Sequence, residues 1–177
     1  VKRLLAYSSV AQIGYIVVGI AYANQTGLTG SVVHLFNHAL MKGGLFMLIG
    51  AVGYRLGANV QLTDLHGLGR RMPFTMAGVV IAGLSLVGLP LTVGFVSKWY
   101  LVKAAFEAGL WPVAAVVLAS SLLALAYVGR IVEAAYFHPP TARTAKASDP
   151  PALLLVPSWL LVVACVYFGI HTDATIG

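Results

Sequence analysis

Residues 30–50 read G-S-V-V-H-L-F-N-H-A-L-M-K-G-G-L-F-M-L-I-G, an apolar run carrying His34, His38 and Lys42 at steps of four. Each step advances only ~40° around a helix, so the three side chains form one slanting stripe ~12 Å long. The flanking Val32, Val33, Leu35, Phe36, Leu40 and Met41 belong in lipid, as do Leu45 to Ile49. Ionisable groups at membrane depth are costly, face a bundle interior or a watery cavity, and mark function by default. The stretch therefore reads as a membrane helix with a basic stripe turned inward, in a chain that moves protons or ions.

Composition supports the same class. Of 177 residues, 59% are hydrophobic and only 9% charged. A soluble domain carries about 25% charged residues to cover its surface. The net charge of +6 is spread along the chain, with several of its carriers inside apolar runs, which argues against a nucleic-acid partner. The single Cys165 rules out an internal disulfide framework or a cysteine-rich metal site and reads as a small buried apolar residue. His34 and His38 have no third ligand nearby except a lysine, so no metal is expected.

The expected fold is an all-α integral membrane bundle of about six transmembrane helices within one unit, residues 1–177. The spans fall at about 4–23, 30–54, 73–88, 91–109, 112–136 and 151–171. The first closes at the polar turn Asn24-Gln25-Thr26-Gly27. Residues 72–108 would be ~55 Å long as one helix, against a ~30 Å hydrocarbon core, so they are expected to fold back. The only break is G-L-P-L-T-V-G, where Pro90 removes a donor and Gly88 and Gly94 loosen the helix on either side. A proline-rich polar loop, residues 138–151, precedes the last span. The chain opens Val1-Lys2-Arg3 without a methionine or signal peptide, and reads as a segment lacking its upstream part or as a split gene product.

Lys98 is the second anomaly, in L-T-V-G-F-V-S-K-W-Y-L-V ~10 Å past the break. Gly94 and Thr92 before it suggest a helix interrupted around 89–109, and broken helices at membrane depth line cavities. The competing reading for Lys98 and Lys42 is snorkelling, in which a long stem carries the charge to the interface. Lys103 and Glu107, four apart, read as a solvated ion pair. His66, His138 and His171 read as solvated loop or span-end residues.

Histidine binds and releases a proton near neutral pH unaided, and a lysine does so only where a low dielectric destabilises its charge. Such groups, linked by hydroxyls and amides, form a relay. In the first span Ser8, Gln12 and Tyr15 share one face. They serve either to wet a path or to hold helices together by interhelical hydrogen bonds.

Four segments carry a resemblance: K-R-L-L-A-Y-S-S-V-A-Q-I-G-Y, H-L-F-N-H-A-L-M-K-G-G-L-F, G-L-G-R-R-M-P and S-L-V-G-L-P-L-T-V-G-F-V-S-K-W. In this order and spacing the chain resembles the antiporter-like membrane subunits shared by respiratory complex I, Mrp-type Na+/H+ antiporters and membrane-bound hydrogenases. The resemblance implies one five-helix repeat plus a final core helix, with the first inverted repeat absent and a discontinuous helix carrying Lys98. By position, Lys98 matches the terminal proton-exchange lysine, Lys42 the central lysine of the buried hydrophilic axis, and His34 and His38 the relay histidines.

The implied function is proton or cation translocation through this axis, in a multisubunit Mrp-type antiporter or related complex of the cell inner membrane. The alternatives are a proton-pumping subunit of an NADH-quinone oxidoreductase or hydrogenase, and a structural membrane module without transport. F-V-S-K-W-Y-L-V-K-A-A-F-E-A-G reads slightly more like the Mrp or hydrogenase type. The implied partners are the lipid bilayer, other membrane subunits and H+, with Na+ left open. No quinone, flavin, nucleotide or iron–sulfur motif is present, so any redox chemistry falls to other subunits and no cofactor is expected in this chain.

Overall fold

The computed structural model describes residues 1–57 and 59–173. Among these described residues seven α-helices follow in order: α1 (Lys2–Ala21), α2 (Gln25–Leu56), α3 (Leu68–Arg71), α4 (Pro73–Val87), α5 (Val93–Glu107), α6 (Trp111–Phe137) and α7 (Ala152–Ile170). No strand occurs among the described residues. Outward faces remain apolar, as at Val10, Val17, Leu122, Leu123 and Leu160, which no water-facing surface would tolerate at this density. The chain is an integral membrane protein.

α2 is the central post, packed against α1, α4, α5 and α7. Its 32 residues make it ~48 Å long. It starts five residues earlier than its apolar pattern suggests, because Asn24 is its N-cap: the Asn24 side chain accepts from the Gly27 N–H at 2.7 Å. The turn before it is tight, with Ala23 at φ 52. α1 and α2 then cross on glycine. A Cβ on Gly27 would run into the Gly19 carbonyl, and one on Gly19 into Ser31 Oγ.

The expected fold-back within 72–108 does not occur. Along α2 from its start, Asn24 meets Ala104, His34 meets Ser97 and Asn37 meets Val93. Further along, Leu48 fills the space against Gly78 of α4. α6 gives the same order: Ser121 lies on Lys98, Val128 on Gly83, and Tyr136 on Gly69. Two unbroken helices thus run antiparallel to α5 and then to α4, so the two halves lie end to end as one broken span. Each half has 15 residues and reaches ~22 Å, too short to cross a ~30 Å core alone. The span as a whole is long because its neighbours are long.

The break occupies residues 88–92. α4 closes in a Schellman motif: Leu89 N–H bonds the Leu84 carbonyl and Gly88 N–H bonds that of Ser85. Gly88 takes the required left-handed conformation, φ 94. Pro90 follows, then Leu91 at φ 69, a conformation a branched side chain adopts only under constraint. Thr92 caps α5, which is regular from Val93 to Glu107. Gly94 therefore does not loosen the Lys98 helix, contrary to its sequence reading. It lies under the last turn of α4, where a Cβ would collide with the Ser85 carbonyl.

Candidate functional site

One stripe of α1 is buried: Leu5, Ser8, Gln12, Tyr15 and Gly19, at alternating steps of three and four. It faces α2, whose His34, Asn37 and Lys42 are themselves buried. His38 is half-buried, with its ring stacked 6.3 Å from that of His34. The predicted stripe on α2 is thus turned into the bundle at both ends, with its middle residue nearer the edge.

Neither lysine snorkels. Lys42 is 6% exposed and donates to the Leu5 carbonyl at 2.8 Å and to Ser8 Oγ. Those are a first-turn carbonyl and a second-turn hydroxyl of α1. Lys98 is 7% exposed and donates to Leu86 O at 3.1 Å, Val87 O at 2.8 Å and Ser121 Oγ at 3.0 Å. The two carbonyls belong to the last turn of α4, whose upstream carbonyls of Leu84 and Ser85 are already taken. The ammonium therefore sits at the negative end of the α4 dipole.

His34 joins the two lysines' surroundings. Its Nδ1 lies 2.8 Å from Ser97 Oγ, next to Lys98 in sequence. The Tyr15 ring meets His34 edge-on at 5.3 Å and Lys98 Nζ at 5.4 Å. Lys42 and His34 are eight residues apart, ~12 Å along α2, so other groups fill the space between the two lysines. Those groups form two walls: Ser8, Gln12 and Tyr15 on α1, and His38, Asn37 and His34 on α2. Among the described residues several buried atoms here have no hydrogen-bond partner: Gln12 Oε1, Tyr15 OH, His34 Nε2, His38 Nδ1 and Asn37 Oδ1.

Three contributors were not singled out from sequence. Asn37 donates to the Val93 carbonyl at 2.7 Å and ties α2 to the start of α5. Ser97 and Ser121 contact His34 and Lys98. Asn37 lies three residues past His34, and Ser97 directly precedes Lys98, so spacing to the basic groups was the available signal. A cavity of about 320 Å³ between α5 and α6 reaches Lys98 and Ser121 past Phe95, Trp99 and Leu118.

Other candidates fall outside this site. Lys103 and Glu107 form an exposed pair at 3.8 Å. His66 and His138 stack on each other, with ring centroids 4.4 Å apart, at the opposite end of the bundle. His171 packs beside Tyr167. Cys165 is fully buried.

A family model described as NADH:quinone oxidoreductase/Mrp antiporter, TM, matches residues 1–124. NADH-quinone oxidoreductase subunit N of Desulforudis audaxviator is 43% identical over 186 residues, covering 98% of this chain and 37% of that protein. The Mrp complex from Dietzia sp. DQ12-45-1b superposes with a TM-score of 0.87 at 27% identity, covering 97% of this chain and 40% of its counterpart. Respiratory complex I from Thermus thermophilus with bound NADH does so at 0.87 and 25% identity, covering 99% and 36%. The chain spans little more than a third of the length of these proteins. It belongs to the NADH:quinone oxidoreductase/Mrp antiporter transmembrane family.

Proposed function

We propose that this chain carries part of a proton path, in which Lys42 and Lys98 exchange protons through His38, His34 and the polar face of α1. It acts as a piece of an antiporter-like subunit within a multisubunit complex of the cell inner membrane, either an Mrp-type Na+/H+ antiporter or a related proton-pumping oxidoreductase. H+ is the ion moved, and any coupling to Na+ or to redox chemistry lies with the parent complex.

The observation that carries this reading is the company the two ammonium groups keep. Both are buried, both are held by neutral oxygens, and among the described residues neither has a carboxylate partner. A buried cation without a counter-charge is expensive, and a serine or asparagine would tie helices together at less cost. Such groups are retained where the charge must come and go. The partnerless atoms of Gln12, Tyr15, His34 and His38 lie between the lysines, and a proton relay needs hydrogen-bonding groups there that are free to take a water.

The structural alternative has one observation in its favour, since Lys98 ties α4 to α5 and α6 at the break. Proton flux in vesicles containing the full parent complex separates the two. Lys42→Ala and Lys98→Ala should assemble at wild-type levels and lose most flux. Normal flux in Lys98→Ala would remove it from the path and leave the staple as its role.

A further inference from the structure

At the end of the bundle far from the α5–α6 turn, the segment Thr63–Arg71, which closes with α3, is bent by 112° from α4, and Arg70 and Arg71 lie beside the close of α6. The two guanidinium groups and His138 line a pocket of about 540 Å³, with Tyr136 and Phe137 on its wall. Both arginines are exposed, and among the described residues neither guanidinium makes a hydrogen bond or ion pair. His66 stacks on His138, so two imidazoles and two arginines share one corner. Glu133 lies 3.9 Å from His138 Nε2, while Asp64 is taken by Arg143 and Asp149 by the first turn of α4. The corner is basic, and among the described residues neither guanidinium is paired with a carboxylate.

A second pocket, also about 540 Å³, adjoins the first at Phe137 and is a groove between α4 and α6. Its walls are Leu84, Leu125, Val128, Gly129 and Val132, with Glu133 beside Phe137 at the basic end, where its carboxylate faces His138. From Phe137 at the basic end to Leu125, the groove descends along α6. Residues 125–137 cover ~18 Å, close to one leaflet of a ~30 Å core. A Cβ on Gly129 would meet nothing within 4 Å, so the glycine leaves the groove deep. Phe137, 80% exposed, stands at the junction where aromatic side chains mark the membrane–water boundary.

We propose that these two pockets form one site for an anionic phospholipid, with the headgroup phosphate on Arg70 and Arg71 and one acyl chain in the α4–α6 groove. Charge at one end only, an apolar trough one leaflet long, and an aromatic collar between them match the anatomy of a single lipid. Planar guanidinium forks suit phosphate oxygens, and basic pockets at membrane ends select anionic headgroups. A bound lipid would also brace the first half of the broken span against α6.

The test uses the detergent-purified, delipidated parent complex, titrated with phosphatidylglycerol or phosphatidylcholine and read by native mass spectrometry. Wild type should retain phosphatidylglycerol by roughly tenfold or more over phosphatidylcholine, two basic contacts being enough for that ratio. Arg70→Gln with Arg71→Gln should bring the two lipids to parity. Gly129→Leu, which fills the groove, should weaken both lipids while keeping the headgroup preference. Inorganic phosphate should not displace phosphatidylglycerol. Equal retention by wild type, or a preference that survives the double substitution, would overturn the proposal. Displacement by phosphate would make the corner a free-anion site instead. A cysteine-reactive photo-crosslinker on Arg71→Cys that yields a protein adduct in native membranes would show a neighbouring subunit seated there, and would equally refute the lipid.

Discussion

The Lys98 ammonium lies 2.8 Å from the carbonyl oxygen of Val87, the last residue of α4, so the charge on one half-helix closes the end of the other. The contact crosses the break, and it makes the protonation of Lys98 and the junction of α4 with α5 a single question.

Lys98→Arg separates the two. Arginine supplies donors for the Leu86 and Val87 carbonyls and keeps the positive charge, but a guanidinium does not release its proton at accessible pH. The variant should assemble normally and lose proton flux by at least about tenfold, measured in vesicles at matched protein level. Full activity would mean that charge alone, not titration, is what this position requires.

Gly94→Ala should destabilise the bundle by about 1–3 kcal/mol, the usual cost of overpacking, because the added methyl meets the Ser85 carbonyl and backbone cannot step aside. Gly129→Ala is the control. Its methyl enters open space in mid-helix and should be neutral or stabilise by about 0.5–1 kcal/mol. Thermal unfolding in detergent compares them, and equal effects would contradict the packing described at the break.

The long loop before α7 is held by Asp149. Its Oδ1 accepts from the Thr75 N–H at 3.0 Å and the Thr75 hydroxyl at 2.6 Å, and its Oδ2 accepts from the Phe74 N–H at 3.3 Å. A residue more than seventy positions away thus caps the start of α4. Asp149→Ala should cost about 0.5–2 kcal/mol and expose residues 138–150 to limited proteolysis, with Asp149→Asn keeping much of the protection.

Ser97→Ala and His34→Ala remove the two ends of one 2.8 Å contact. Each should lower flux less than either lysine substitution, since water can bridge a missing relay group. If they act through that contact, the double variant should fall well short of the product of the two single effects. Independent, multiplicative losses would place them on separate routes.

The basic groups of the site were legible because lysine and histidine are conspicuous inside apolar runs. His34, Lys42 and Lys98 could be singled out with no knowledge of which helices touch. Asn37, Ser97 and Ser121 could not. Small polar residues are ordinary in membrane helices, and only the register between α2, α5 and α6 shows that these three meet the basic groups. The break was legible at Gly88 and Pro90, from the chemistry of helix ends. Its consequence was misjudged, since the span was measured against a uniform bilayer instead of against a 32-residue neighbour. The Asp149 cap, a contact between distant segments, leaves no local pattern to read.

Three N–H bonds of the Lys98 ammonium point at three oxygens: Leu86, Val87 and Ser121. A neutral amine keeps two N–H bonds and gains a lone pair. The two carbonyls can accept only, so they would keep the two hydrogens. The Ser121 hydroxyl, which donates to Val117 at 3.2 Å, is the one partner able to reverse its role and donate to the lone pair. The cage therefore offers partners to both forms of the lysine, and the hydroxyl of Ser121 is the group whose rotation distinguishes them.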